Sequence, residues 1–115
     1  MSTLYQYTKP TNMKNLSDFK KLAILGSKWT GIRHLSKFVG RDENQKPMYE
    51  LEALPEREVS IVQTNSIAFK HTNNDGKVVD SWLQFPKAKD CKFPGNGVIE
   101  IYEGGVLNLT YTKSV

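Results

Sequence analysis

The spacing of apolar residues changes near residue 26, and this change predicts one short helix followed by strands. Before it, apolar residues recur close to the helical period at Leu16, Phe19, Leu22, Ala23 and Leu25. Ser17 and Asp18 supply N-cap chemistry, and Gly26 stands at a C-cap position. The pattern therefore predicts a helix over 15–26 that delivers Trp29 into the first strand.

From Trp29 onward the apolar positions alternate with period two, which is typical of strands. Polar breaks divide this part into seven strand candidates, at 29–39, 48–54, 58–64, 67–72, 77–85, 97–103 and 106–113. Asp75-Gly76 and Gly104-Gly105 are hairpin signals between neighbouring candidates. Pro55 is expected to end the second candidate, and 86–96 is expected to be the longest loop.

The fifth candidate, 77–85, carries apolar residues on both of its faces. Val79, Leu83 and Phe85 alternate on one side, while Val78 and Trp82 lie on the other. This pattern predicts a strand covered on both faces. An outward Trp82 would cover an adjoining element or, as the alternative, offer a stacking platform for bases.

Sequential hairpins joined by short turns predict a mainly β fold, an antiparallel up-and-down meander of seven or eight strands. Because closure removes exposed edges, we expect the meander to close into a small barrel with the helix at one mouth. The length fits a single domain over 1–115, with an N-terminal arm or edge strand at 1–14, the helix at 15–26 and the barrel at 27–115. A barrel of this size holds a small ligand or is filled by side chains.

The opening Gly26-Ser27-Lys28-Trp29 resembles the Gly-x-Trp start of the lipocalins and the wider calycin group. It also resembles small intracellular lipocalin-like domains of bacteria. The chain has two residues between glycine and tryptophan where the family has one, and the only cation in the last strand is Lys113. The resemblance implies a barrel whose base is closed by Trp29, with a small cavity for a hydrophobic ligand.

Charge and cysteine content narrow the choice of partners and compartment. Sixteen Lys and Arg against twelve Asp and Glu give a net charge of +4, but the lysines are scattered from Lys9 to Lys113. Scattered charge indicates a solvated surface, so specific nucleic-acid binding is not predicted. The single Cys91 excludes an internal disulfide, and neither a signal peptide nor an apolar run long enough for a membrane span is present. We therefore expect a cytoplasmic protein.

Few residues have the chemistry of a catalytic or metal site. His34 and His71 are the only histidines, and on a shared lumen they could approach each other as acid and base or as ligands. Lysines on both sides of Cys91 would lower the pKa of its thiol. No metal-ligand spacing and no dinucleotide or P-loop fingerprint is present, so no catalytic residue, metal or cofactor is assigned.

Two functions follow from this pattern. The first is a protein that binds a small, largely apolar molecule inside the barrel. Its predicted ligand-binding residues are Ile32, His34, Phe69, His71, Leu83, Ile101, Leu109 and Tyr111. The second is a small interaction or inhibitor protein with a filled core that acts through its basic surface on a protein or nucleic-acid partner. A barrel enzyme, such as an isomerase or cyclase with a cavity histidine, ranks third.

Overall fold

The computed structural model describes residues 13–95 and 97–114, so the predicted arm or edge strand over 1–14 lies almost entirely outside the described residues. One helix precedes seven strands and a short 3-10 turn. The elements are α1 (Leu16–Leu22), β1 (Lys28–Arg41), β2 (Pro47–Val62), β3 (Ser66–Thr72), β4 (Val78–Gln84), a 3-10 turn (Ala88–Asp90), β5 (Cys91–Gly95), β6 (Val98–Glu103) and β7 (Val106–Lys113).

All seven strands form one antiparallel sheet in the order β4-β3-β2-β1-β7-β6-β5. The predicted mainly β, antiparallel meander is confirmed. The predicted closure into a barrel is wrong, because β4 and β5 do not pair with each other in the described part of the chain. The described sheet is therefore open, with β4 and β5 as its two edge strands.

The helix is shorter than the predicted 15–26 and begins differently. Asn15 is the N-cap, and its side-chain oxygen accepts from the Asp18 N–H at 2.9 Å. The helix ends at an Ala23 cap, so Gly26 belongs to the turn that follows, with φ +85°. The Gly26 N–H already donates to Val59 O on β2, which shows why the chain must leave the helix early to enter the sheet.

Pro55 does not end a strand, and the two candidates on either side of it form the single strand β2. The register with β1 shifts between the pairs Gly31↔Leu54 and Trp29↔Arg57. Two residues of β2 therefore oppose one residue of β1, which is a β-bulge. A bulge residue needs no ladder hydrogen bond from its N–H, so the bulge tolerates the proline.

The predicted loop 86–96 contains a strand, β5, that the sequence pattern does not reveal. Pro86 and Pro94 suggest irregular structure, yet Pro94 lies in a second bulge, between the pairs Lys92↔Glu100 and Gly95↔Val98. Because β5 is an edge strand, the missing N–H of Pro94 does not remove a hydrogen bond from the interior of the sheet.

Both predicted hairpins are confirmed. Around Asp75-Gly76, the Asn73 N–H donates to Lys77 O, and the Asn73 side chain accepts from the N–H groups of Asp75 and Lys77. Around Gly104-Gly105, β6 pairs with β7 over six residue pairs. Ile99 lies opposite Tyr111, as the alternation in these strands requires.

Strand β4 is not covered on both faces as predicted. It lies at the edge of the sheet, and every second side chain is exposed, including Trp82 at 54%. The partly buried Leu83 faces the core on the other side. The apolar residues on both sides of 77–85 thus reflect one core-facing row and one solvent-facing row.

The core lies between the helix and one face of the sheet, which we call the inner face and define by Trp29, Phe69 and Tyr111. Trp29 is fully buried, and its ring meets Phe19 of the helix edge to face at 5.3 Å. The expected burial of Trp29 against the helix is confirmed. Phe19 also meets Phe85 beyond β4 at 5.8 Å.

The inner face is strongly curved. Phe69 on β3 stacks on Tyr111 on β7 with 5.1 Å between ring centroids, although β2 and β1 lie between their strands. Three strand spacings on a flat sheet span about 14 Å. The two rings can meet only because the sheet curves and both side chains lean over the strands between them.

We expect Trp29→Ala to lower the free energy of unfolding by about 3 to 5 kcal/mol, because it leaves a large cavity beneath the helix. Urea titration measures the loss. Trp82→Ala is the matched control, since the same truncation at this half-exposed position is expected to cost less than about 1 kcal/mol. A loss below about 1 kcal/mol for Trp29→Ala would mean that the helix does not depend on this contact.

Candidate functional site

A cleft of about 400 Å³ opens where β1 begins, β3 ends and β4 begins, and we call it the Arg57 cleft. Seven of its eight lining residues are polar or charged. It is lined by Lys28, Glu56, Arg57, Glu58, Lys70, His71, Thr72 and Val78.

The bulge in β2 immediately precedes Arg57, and bulges commonly aim side chains at functional positions. The register of β2 with β3 pairs Glu58 with Lys70 and Val59 with Phe69. Continued by one residue, this register sets Arg57 opposite His71. Both residues line the cleft.

Arg57 carries a buried charge without an acidic partner among the described residues. It is 8% exposed, and its Nη1 donates to the hydroxyl oxygen of Tyr111 at 3.2 Å. Its Nε is buried and has no hydrogen-bond partner in the described chain. The ion pairs found there join other residues, namely Arg33 with Glu52, Lys37 with Glu50, and Lys70 with Glu58.

His71 also has one ring nitrogen bonded and one free. Its Nε2 lies 2.7 Å from the Ser81 Oγ, whereas its buried Nδ1 has no partner in the described part of the chain. When the Ser81 hydroxyl donates to Nε2, the neutral imidazole carries its proton on Nδ1. His71 then offers a hydrogen-bond donor beside that of Arg57.

Tyr111 links this site to the core, and Gly31 makes the link possible. A Cβ at position 31 would lie 2.8 Å from the Cε1 of Tyr111, so only glycine leaves room for the ring to cross β1. Burial raises the pKa of the Tyr111 hydroxyl, although Arg57 acts in the opposite direction. The hydroxyl is therefore protonated at neutral pH and accepts the Arg57 hydrogen bond as a neutral oxygen.

The eight predicted ligand-binding residues do not line one cavity. Six lie on the inner face, where Phe69, Ile101 and Tyr111 are buried in the packed core. Those six are Phe69, His71, Leu83, Ile101, Leu109 and Tyr111. His71 alone among the eight lines the Arg57 cleft.

The two histidines do not approach each other. Ile32 and His34 lie on the outer face of the sheet, because Ile32 pairs with Thr110 and the His34 Nε2 lies 2.8 Å from the Thr110 Oγ1. His71 shares the inner face with Phe69. The shared lumen expected from the sequence requires a closed barrel, and the open sheet separates the two side chains.

A second cleft, of about 420 Å³, lies at the outer side of the sheet, and we call it the His34 cleft. It is lined by His34, Leu35, Tyr49, Val106 and Leu107. The last β1–β7 pair is Arg33 with Leu109, so the two strands separate at this point and leave a gap. Unlike the Arg57 cleft, it is lined mainly by apolar side chains.

Sequence reasoning missed Arg57, the most buried charged residue of the described chain. Its neighbours Glu56 and Glu58 suggest a solvent-facing row. The alternation could have identified it, because Arg57 lies two residues before the core residue Val59 and therefore on the same face of β2. A cation at a core-facing position marks either a buried ion pair or a ligand contact.

Cys91 differs from its expected chemistry. Burial, and then the carboxylate of Asp90, raise the pKa of its thiol above the ordinary value of 9.0. The predicted lowering by the neighbouring lysines is therefore wrong. The Sγ lies 3.6 Å from the Ala88 carbonyl oxygen, inside the turn that leads into β5.

Neither a metal site nor a membrane-spanning helix is found in the described residues. No group of three or more His, Cys, Asp or Glu side chains there could hold a metal ion. No helix described is long and apolar enough to cross a membrane.

No protein-family model matches the sequence, and no curated protein or solved structure matches the chain. The resemblance to the lipocalins therefore stays a prediction.

We expect Gly31→Ala to cost about 1 to 3 kcal/mol of unfolding free energy, because the new methyl group would displace the Tyr111 ring. Urea titration measures the cost. Thr30→Ala, at the exposed neighbouring position, is the control and should change stability by about 0.5 kcal/mol or less. An equally small change for Gly31→Ala would show that the ring does not need the space above β1.

The alkylation rate of Cys91 by iodoacetamide should rise with pH to a midpoint above 9.0, because its thiol pKa is raised. Asp90→Asn removes a negative charge and should lower this midpoint, so that alkylation at a fixed mildly alkaline pH becomes faster. Asp75→Asn, in the β3–β4 turn, is the control and should leave the profile unchanged. A midpoint below 9.0 in the unmodified chain would contradict the assignment.

Proposed function

We propose that this protein binds a small molecule that presents an anionic group to Arg57 and His71 in the Arg57 cleft. One observation carries the proposal: Arg57 Nε and His71 Nδ1 are buried without partners in the described chain, and both residues line the same cleft. Buried polar atoms nearly always have hydrogen-bond partners, so two exceptions at one cleft call for a partner from outside the chain.

The energetics support the same conclusion. An unsatisfied buried donor costs about 1 to 3 kcal/mol, and a buried charge without a counter-charge costs more. A protein that needed only a stable core would gain by replacing Arg57 with an apolar residue. An anion in the cleft would satisfy the guanidinium charge and both free donors together.

The proposal keeps the predicted class, a small-ligand-binding protein, but changes the chemistry of the ligand. The inner face is filled by buried side chains, and the Arg57 cleft has charged walls, with Val78 as its one aliphatic contact. Such walls suit a polar ligand better than the largely apolar one expected from the sequence.

A largely apolar ligand is the second candidate, and the His34 cleft favours it. Its aliphatic and aromatic walls, with a single imidazole, match the expectation of an apolar molecule oriented by one polar side chain. One ring nitrogen of His34 is already hydrogen-bonded to Thr110. This cleft therefore gives a weaker indication of a ligand than the Arg57 cleft does.

The test is the melting temperature of the purified protein in the presence of acetate, benzoate, benzenesulfonate or phenyl phosphate at constant ionic strength. A ligand at about ten times its dissociation constant should stabilise the native state by about 1.4 kcal/mol. This corresponds to a rise of several degrees for a chain of this size. We expect at least one of these anions to produce such a rise in the unmodified protein.

Arg57→Met is the decisive variant. It should unfold with a free energy within about 1 kcal/mol of the unmodified protein, because the lost Tyr111 bond is offset by removal of an unpaired buried charge. It should also lose the response to anions. Lys46→Met, at the exposed tip of the β1–β2 hairpin, removes the same charge and should keep the response. A loss above about 3 kcal/mol in Arg57→Met, or an unchanged response to anions, would overturn the proposal.

A further inference from the structure

We infer that the anionic group bound in the Arg57 cleft is a carboxylate, with one oxygen accepting from Arg57 Nε and the other from His71 Nδ1. This inference rests on the proposed function and identifies the class of ligand as small organic acids.

Two buried nitrogens of these side chains have no partner in the described chain: Arg57 Nε, and His71 Nδ1, which is a donor in the tautomer set by the Ser81 hydroxyl. The register brings Arg57 and His71 together on the inner face. The Nη1 of Arg57 is bonded to Tyr111, and the Nε2 of His71 is bonded to Ser81. A carboxylate has two oxygens in one plane, which can accept one hydrogen bond from each donor.

The partners that hold these side chains also set their orientation. The Arg57 Nη1 bond to Tyr111 fixes one end of the guanidinium plane, and the stacking of Tyr111 on Phe69 fixes Tyr111. The Ser81 hydroxyl fixes the imidazole ring of His71. Both free N–H groups are thus positioned before a ligand arrives, which reduces the entropy lost on binding.

The charge in the cleft suits a monoanion. Lys70 is paired with Glu58 at 3.6 Å, so this part of the rim is balanced. The remaining charged groups of the lining are Lys28, Glu56 and Arg57. Their sum is one positive charge when His71 is neutral, which balances a carboxylate. A phosphate monoester would bring more negative charge next to Glu56 and Glu58.

The test compares benzoate with benzamide, its neutral analogue, and with phenyl phosphate, at neutral pH on isotope-labelled full-length protein. Dissociation constants come from NMR titration. The side-chain resonances of Arg57 Nε and of the ring nitrogens of His71 and His34 report where each compound binds. We expect benzoate to shift Arg57 and His71 and to bind at least about tenfold more tightly than either analogue, since each leaves a charge or a donor unmatched.

Variants at the two histidines provide the matched comparison. His71→Ala removes one of the two donors and should weaken benzoate binding about tenfold. His71→Asn retains an N–H near the position of Nδ1 and should recover most of the affinity. His34→Asn, on the outer face, should bind benzoate like the unmodified protein. A dispersed amide spectrum checks that each variant is folded.

Each contrary outcome has a distinct meaning. If phenyl phosphate binds as tightly as benzoate and depends on Arg57, the anion site stands and the carboxylate inference is overturned. If benzamide binds as tightly as benzoate, the site does not recognise charge, and both proposals fail. If benzoate shifts His34 and leaves His71 unchanged, the ligand occupies the His34 cleft and both proposals also fail. If none of the compounds binds, the proposed function is wrong.

Discussion

The Tyr111 ring joins the core of this protein to its candidate site. It crosses β1 above Gly31 and stacks on Phe69 of β3, which lies on the same inner face three strands away. Its hydroxyl accepts a hydrogen bond from Arg57. This arrangement depends on a residue without a side chain in the middle of a long strand. The position of the Tyr111 ring, and with it the contacts to Phe69 and Arg57, depends on the space above Gly31.

A buried arginine without an acid partner needs a compensating explanation. The hydrogen bond to a neutral tyrosine contributes about 1 kcal/mol, which is less than the cost of taking a guanidinium out of water. Stability alone therefore does not account for Arg57. Under the proposed function, an anionic ligand would supply the missing negative charge, and the protein without that ligand would be less stable than its core allows.

Much of the fold could be predicted from local patterns, because hairpin turns and alternation are local. Asp75-Gly76 and Gly104-Gly105 marked two hairpins correctly, and the burial of Trp29 followed from its place after the helix. Pro55 and Pro94 misled the prediction because both lie in bulges, which depend on the partner strand. The prediction of barrel closure was wrong for a related reason. Closure depends on whether the edge strands β4 and β5 meet, and the residue pattern within either strand does not show this.

The candidate site was only partly predictable for the same physical reason. His71 was identified by its rarity and its inner-face position, but Arg57 was hidden between two glutamates. The role proposed for Arg57 depends on its burial, on the bulge beside it and on the lack of an ion-pair partner among the described residues, and each of these is a property of the folded sheet. The pairing of Arg57 with His71 becomes visible only when β2 and β3 are placed in register. The proposed site therefore depends on the fold, because two residues that are unremarkable in sequence line one cleft in the folded protein.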